Sequence, residues 1–161
     1  MRQIALWRCV RCGECCRHLV GRSFGLALLP EEAERLRVLA SRRCVALDLK
    51  PLTWNGFKVT LYQFAEQICP FLTRDNRCSI YRWRPLACRM YPLHPYGISD
   101  CTYLDRMQRR GFQIVFPPQL RSAANHYLRT VIPLIRRASL RYNLNRGWEP
   151  NTRFTFNSTY G

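Results

Sequence analysis

The most unusual feature of this chain is the number and spacing of its cysteines. Nine cysteines occur in 161 residues, and four of them fall within eight positions: Cys9, Cys12, Cys15 and Cys16. Thiolates spaced by two residues can converge on one metal ion or iron–sulfur cluster where the backbone turns tightly, and Gly13 permits such a turn. We therefore interpret residues 9–16, here called the knuckle, as one part of a metal site.

Four downstream cysteines are candidates to complete this site: Cys69, Cys78, Cys88 and Cys101. They are single cysteines, whereas zinc sites usually contain two Cys-x-x-Cys arms. A Cys-x-x-Cys-x-x-Cys run with a remote cysteine beside a proline, as at Cys69-Pro70, is closer to the ferredoxin arrangement. The sequence thus favours a four-iron four-sulfur (4Fe-4S) cluster over zinc, with three knuckle cysteines and one downstream cysteine as ligands. The other cysteines leave a second metal site open.

A disulfide framework is the alternative reading of so many cysteines. It is typical of small secreted domains, but residues 1–8 are too short and polar for a secretion signal, and nine cysteines cannot all pair. We therefore expect a cytoplasmic protein with reduced thiols. Cys44 lies in an apolar context and is expected to be a small buried side chain, while His18 is expected to be a polar neighbour of the knuckle.

Charge is the second strong signal. The chain has 26 basic and 10 acidic residues, a net charge of +16, and only two of the basic residues are lysines. Each four-thiolate zinc site or oxidised 4Fe-4S cluster would contribute about −2, so the bound protein would still be strongly basic. This excess predicts a polyanionic partner, and arginine suits nucleic acid because it contacts phosphate in a bidentate manner.

The arginines concentrate near the carboxyl terminus, where no acidic residue occurs between Asp105 and Glu149. Arginines in this region therefore lack partners on their own helix and favour a phosphate-facing surface. The candidate RNA contacts are Arg121, Arg129, Arg136, Arg137, Arg141, Arg146 and Arg153. The tail 146–161 also carries aromatic residues that suit base stacking in an extended arm.

Several short elements must position these residues. Pro30 opens a helix with glutamates in its first turn and a core face formed by Ala33, Leu36, Leu39 and Ala40. Asn55-Gly56 predicts a hairpin turn, and a short helix should start at Pro85. A short strand is expected at 112–116. Residues 119–144 are expected to form a long helix, kinked or split at Pro133.

These elements predict a small, irregular, metal-stapled α+β domain with short helices, one hairpin and a long C-terminal helix kinked at Pro133. We expect one domain over 1–161, because no repeat or linker is evident. It would comprise a cysteine-rich metal-binding core at 9–101, a basic helical extension at 112–145 and an extended tail. No apolar run is long enough to cross a bilayer, so no membrane association is expected.

The cysteine pattern resembles that of a known family. The strings Cys9-x-x-Cys12-Gly-x-Cys15-Cys16, Cys69-Pro-Phe-Leu and Cys78-Ser-Ile-Tyr-x-x-Arg84-Pro85-x-x-Cys88-Arg, with a later cysteine, are similar to the YkgJ-type zinc- or iron-chelating domain. That eight-cysteine domain also occurs in flagellin lysine methylase, where it resembles an iron–sulfur module. The resemblance covers residues 9–101 and implies eight ligands: Cys9, Cys12, Cys15, Cys16, Cys69, Cys78, Cys88 and Cys101. It implies nothing about the arginine-rich extension.

Two classes of function follow. The first is an RNA-binding protein with a structural 4Fe-4S cluster, ribosomal or ribosome-associated, which would contact ribosomal RNA and neighbouring ribosomal proteins. The second is an iron–sulfur enzyme for group transfer or redox chemistry on protein or tRNA, with acid–base candidates Glu14, Glu66, Asp75, Asp100 and Asp105. The sequence favours the first class, since it shows no catalytic constellation beyond cysteines. A structural zinc protein is a further alternative.

Overall fold

A computed structural model of the chain describes residues 3–19, 26–54, 57–94, 97–98 and 101–145. The helices are α1 Glu14–Arg17, α2 Pro30–Arg42, α3 Leu86–Met90, α4 Thr102–Arg109, α5 Pro118–Thr130 and α6 Ile132–Asn145. The strands are β1 Ile4–Leu6, β2 Leu49–Trp54, β3 Phe57–Phe64, β4 Leu93–His94, β5 Gly97–Ile98 and β6 Gln113–Val115. None of the described helices combines the length and apolar character that a membrane span needs.

The expected mixture of helices and small sheets is confirmed. The strands form three two-stranded pairs, of which β2–β3 and β4–β5 are antiparallel. The third pair, β1–β6, is parallel and joins Ile4 to Gln113 and Leu6 to Val115. Since parallel strands need a long crossover, this pair places the segment before the knuckle beside the C-terminal part of the chain.

The predicted hairpin is formed by β2 and β3. Val59 and Leu61 are buried while Lys58 and Thr60 are exposed, as expected for a strand with one face on the core. The predicted turn residues, Asn55 and Gly56, lie outside the described residues. Helices α2 and α6 pack against the strands of this hairpin.

Helix α2 begins at Pro30, as predicted, because proline fits the first helical position. Its predicted core face is confirmed, since all four of its members are buried: Ala33, Leu36, Leu39 and Ala40. The face packs with Phe64 and with Phe71 and Ile80, which flank the downstream cysteines. Helix α2 thus supports the part of the chain that carries Cys69 and Cys78.

A single C-terminal helix kinked at Pro133 is not confirmed. The chain forms two helices, α5 and α6, which are separated at Val131, and Pro133 is the second residue of α6. Proline has no N–H to donate to the preceding turn, so it interrupts the helix, and it fits in the first turn of α6. The strand predicted at 112–116 is confirmed as β6.

Both C-terminal helices share a core with the cysteine-rich part of the chain. Tyr127, Val131 and Ile135 are buried in one cluster with Leu61 of the hairpin and Leu86 of α3. The basic extension therefore packs directly on the elements that carry the downstream cysteines. The division into a core, an extension and a tail stays a prediction, and the tail lies outside the described residues.

Candidate metal centre

The knuckle turns sharply at two positions with left-handed backbone geometry. Gly13 has φ 78° and Arg11 has φ 57°. The Gly13 carbonyl accepts a hydrogen bond from the Cys16 N–H at 3.0 Å, and this contact begins the short helix α1. Glycine adopts this conformation without the steric cost that a side chain would incur. The tight turn expected at Gly13 is therefore present.

The knuckle packs against a polar turn formed by residues 73–77. A Cβ atom added to Gly13 would lie 3.1 Å from Asn76 Oδ1, so the Asn76 side chain packs closely against the Gly13 backbone. Arg17 donates a hydrogen bond to the same Asn76 oxygen. Glycine at position 13 thus allows both the left-handed turn of the knuckle and the close approach of Asn76.

The turn at 73–77 is fixed by its own hydrogen bonds. The Thr73 N–H donates to the Arg77 carbonyl at 2.8 Å, and the Arg77 N–H donates to Thr73 Oγ1 at 3.0 Å. The Thr73 hydroxyl also donates to Asp75 Oδ1 at 2.6 Å and lowers the pKa of that carboxyl. These contacts hold Cys78 in place after the turn.

Backbone hydrogen bonds join the two cysteine-bearing regions directly. The Cys69 N–H donates to the Cys16 carbonyl at 2.7 Å, and the Leu19 N–H donates to the Gln67 carbonyl at 2.9 Å. The Ser79 N–H and hydroxyl both donate to the Phe71 carbonyl. The knuckle and the downstream cysteines are therefore positioned by main-chain contacts.

Cys88 is positioned by a buried carboxylate on α2. Glu32 is only 3% exposed, and its Oε1 accepts the Leu86 N–H, the first of helix α3, at 2.7 Å. Its Oε2 accepts the Leu29 N–H at 3.1 Å, so one side chain caps the amino termini of both helices. The sequence indicated only a first-turn glutamate here. No local pattern indicates its contact with Leu86, which lies 54 residues further along the chain.

Six of the eight predicted ligands line one cavity of about 70 Å³. They come from the knuckle and from three downstream segments: Cys9, Cys15, Cys16, Cys69, Cys78 and Cys88. The Cys15 and Cys16 sulfurs lie 3.9 Å apart. Since one water needs roughly 10–15 Å³, the cavity has room for a group of several atoms.

The cavity shifts the pKa values of its thiols. A hydrogen bond with Cys15 lowers the pKa of Cys16, but a hydrogen bond with Cys69, burial and the charges of Cys69 and Cys78 raise it to about 12. Burial raises the pKa of Cys88 well above its usual range, and the charges of Cys16 and Cys15 add to this effect. Burial also raises the pKa of Cys78. These mutual effects show that the thiols lie within electrostatic reach of one another.

Arg84 provides positive charge at the cavity wall. It lowers the pKa values of Cys78 and Cys88 and so favours their thiolate forms, although burial outweighs it. Its guanidinium lies 3.7 Å from the centre of the Tyr81 ring, and its Nε donates to the Tyr81 carbonyl at 3.0 Å. The sequence analysis included Arg84 only as part of the cysteine pattern. Its position between Cys78 and Cys88 in the chain is the feature that could have indicated a place at the cavity wall.

The other two predicted ligands lie elsewhere. Cys12 is exposed and does not line the cavity. Cys101 is buried in a separate cluster with Leu104 and Phe116, at the start of α4. Among the described residues, no three cysteine, histidine or carboxylate side chains are already arranged to ligate one metal ion. Six thiols therefore line the cavity, but the described side chains are not arranged as a complete set of metal ligands.

The sequence also gave expectations for Cys44 and His18, of which the first is wrong and the second is confirmed. Cys44 was expected to be buried, and this is wrong: it is exposed, with a left-handed φ of 52°, because the chain turns there after α2. His18 lies 3.9 Å from Glu14 and is exposed. It is a polar neighbour of the knuckle and does not line the cavity.

The candidate RNA contacts are exposed where the structure describes them. Arg121, Arg129, Arg136 and Arg137 project from α5 and α6 with exposed side chains. Nothing is described of the Arg141 side chain, and Arg146 and Arg153 lie outside the described residues. Neither helix has an acidic residue in its first turn.

The carboxylates considered for acid–base chemistry are placed away from the cavity wall. Glu14, Glu66, Asp75 and Asp105 are exposed, and none lines the cavity. Asp100 lies outside the described residues. The buried carboxylate among the described residues is that of Glu32.

Comparison with known proteins bears on the cysteine-rich region. A search of curated proteins and a search of solved structures each found no match. A family model named CxxCxxCC, described as a "putative zinc- or iron-chelating domain", matches residues 8–111, which is more than half of the chain. The match covers the knuckle and every downstream candidate ligand. The chain therefore belongs to the CxxCxxCC family of zinc- or iron-chelating domains.

Proposed function

We propose that the protein is a cytoplasmic iron–sulfur protein that binds ribosomal RNA, with a 4Fe-4S cluster held in the cysteine cavity in a structural role. The observation that carries the metal part is the convergence of six cysteines from four separate segments on one cavity. A group ligated by thiolates from these segments would cross-link the knuckle, the turn at 73–77 and α3. Family membership supports metal binding, and the choice of cluster is our proposal.

The donor set fits such a cluster. A 4Fe-4S cluster is held by four cysteine thiolates, and the cavity offers six. The cluster would supply strong iron–thiolate bonds between chain segments that are otherwise distant. The sulfurs would reorient on binding, since side-chain rearrangement at a binding site is common. Cys9, Cys15 and Cys16 are the knuckle cysteines that line the cavity, so these three would be the knuckle ligands in place of a set that includes Cys12.

Charge and volume also support the cluster. An oxidised cluster with four thiolates carries about −2. Arg84 and Arg11 both line the cavity and would offset this charge. Room for several atoms suits a cluster better than a single zinc ion, which four thiolates would surround closely. Zinc is the alternative, and metal analysis distinguishes the two.

The RNA part of the proposal rests on the surface of α5 and α6. Arg121, Arg129 and Arg137 are exposed and make no ion pair with any described carboxylate. Arg35, Arg37 and Arg77, by contrast, each form an ion pair with a carboxylate, and all three lie within the cysteine-rich region of the chain. With a net charge of +16, these exposed guanidiniums favour phosphate contacts.

Sedimentation with ribosomes tests this part of the proposal. We expect the protein to travel with ribosomes at low salt and to dissociate as salt rises, because phosphate contacts release counterions. Arg129→Gln should weaken binding and lower the salt slope by about one unit. Arg37→Gln, which removes an arginine already paired with Glu34, is the matched control and should bind like the wild type. A protein that stays at the top of the gradient at low salt would contradict RNA binding.

A further inference from the structure

A second cleft lies beside the cysteine cavity, and of its lining residues the proposed function uses only Arg84. It has a volume of about 510 Å³ and is bounded by the segment after β1, by α3 and by the amino-terminal half of α5. Its size falls within the range of sites for small organic ligands. Tyr81 and Arg84 line both the cleft and the cysteine cavity, so the two share a wall.

The polar groups of this cleft are suited to an anion. Arg84, Arg89 and His126 line it, and no carboxylate does. None of the three forms an ion pair with a described carboxylate. Guanidinium groups from two positions can each donate two hydrogen bonds to the oxygens of a phosphate.

A further donor group borders the same cleft. The amino terminus of α5 also lines the cleft through Pro117 and Gln119. It has no side-chain cap and no acidic residue in its first turn, so its dipole favours a negative group there.

Part of the remaining lining is apolar and suits the organic part of a ligand. Leu86, Pro117, Leu120 and Ala123 contribute this surface. Inorganic phosphate would use the donors but would leave most of a cleft of about 510 Å³ unfilled. An organic phosphate with a ring system would use both parts of the lining.

We propose that this cleft binds a phosphate monoester of mononucleotide size, either as a free nucleotide or as the 5′ end of an RNA strand. Arg84 and Arg89 hold the phosphate, with His126 as a further donor. The apolar wall formed by α3 and α5 receives the nucleoside. This site does not depend on the arginines proposed to bind ribosomal RNA.

Isothermal titration of the metal-loaded protein with AMP and with adenosine tests the site. We expect AMP to bind and adenosine to bind at least about tenfold more weakly, because charge-assisted hydrogen bonds to the phosphate are lost. Arg89→Gln should weaken AMP binding by about tenfold for the same reason. Arg109→Gln removes an exposed arginine on α4 that does not line the cleft, and its AMP affinity should equal that of the wild type.

His126→Ala provides an independent variant, so the test does not depend on the folding of one protein. It should weaken AMP binding while metal content stays unchanged. Failure of AMP to bind, equal binding of adenosine, or wild-type AMP affinity in Arg89→Gln would overturn the proposal.

Competition by a short oligoribonucleotide distinguishes the two sources of the phosphate. If the 5′-phosphorylated strand displaces AMP and the 5′-hydroxyl strand does not, the site accepts an RNA 5′ end. If neither strand displaces AMP, the ligand is a free nucleotide. Equal displacement by both strands would show that internal phosphodiesters bind, which contradicts a monoester site.

Discussion

At the scale of single residues, the cysteines divide by environment. Cys88 is partly buried at the cavity, and its pKa is raised by burial and then by the charges of neighbouring thiols. Cys44 is exposed on a turn, away from the cavity lining. Two residues of one chemical type therefore have different expected roles, and this difference can be measured.

Cys88→Ser should remove most of the bound metal. Serine is a poor ligand for iron and zinc in such sites, and the soft thiolate contributed by α3 would be lost. Cys44→Ser is the matched control and should retain the metal content of the wild type. Metal analysis of both purified proteins is the measurement. Equal metal content in the two variants would exclude Cys88 as a ligand.

The thiols also predict how the stability of the metal-free protein depends on pH. The pKa of Cys16 is raised from 9.0 to about 12 in the folded state, so the folded state retains protons that the unfolded state loses. The resulting stability is fully present below pH 9 and is lost as pH rises from 9 towards 12.

Urea unfolding of the reduced, metal-free protein measures this effect. The midpoint should fall as the solution becomes alkaline, and Cys16→Ser should show a smaller fall because serine does not titrate. If the wild type and Cys16→Ser showed the same pH dependence, the raised pKa of Cys16 would be disproved.

Individual residues also show what the sequence could and could not indicate. The six cysteines that line the cavity could be singled out from their spacing alone, and their role as ligands stays a prediction. The exposure of Cys44 could not be predicted, since its apolar neighbours suggested burial and nothing local indicates a left-handed turn. Glu32 was missed as a link between helices, because its partner at Leu86 is distant in the chain and a buried contact of this kind leaves no periodic pattern.

At the scale of elements, the site depends on how helices and turns are joined. Helix α3 has five residues, too few to be stable alone, and it is held by packing and by the Glu32 carboxylate at its amino terminus. The knuckle is held by backbone bonds to the segment before Cys69. Elements this short depend for their stability mainly on tertiary contacts.

Glu32→Gln should destabilise the metal-loaded protein by about 1–3 kcal/mol, because an amide keeps only one acceptor and leaves a buried N–H unpaired. Its matched control is Glu31→Gln, which alters an exposed glutamate in the same turn and should change stability by less than about 0.5 kcal/mol. Chemical denaturation measures both. A Glu32→Gln protein as stable as the control would show that the buried carboxylate is dispensable.

Elements with a local sequence signature could be predicted, whereas pairings between distant parts of the chain could not. Helix α2 and the hairpin carry proline, Asn-Gly and periodic apolar residues. The parallel pairing of β1 with β6 joins strands more than a hundred residues apart, so no local pattern reveals it. The break between α5 and α6 was predictable from Pro133. Its exact place at Val131 was not, because it depends on which position of α6 the proline occupies.

At the scale of the whole molecule, two features are separate in sequence and joined in structure. The family match covers residues 8–111, whereas α5 and α6 lie beyond it and carry exposed arginines. Both helices nevertheless share a buried cluster with α3 and the hairpin. A metal in the cavity would therefore stabilise the same core on which the basic helices rest, so we expect loss of the metal to weaken the proposed RNA binding as well.

The most direct test is the visible absorption spectrum, with iron, zinc and sulfide analysis, of protein purified without oxygen. Our account predicts the broad visible absorption of an iron–sulfur cluster and about four irons and four acid-labile sulfides per chain. It predicts that Cys88→Ser loses this absorption and that Cys44→Ser keeps it. A colourless protein that contains zinc and no sulfide would contradict the account.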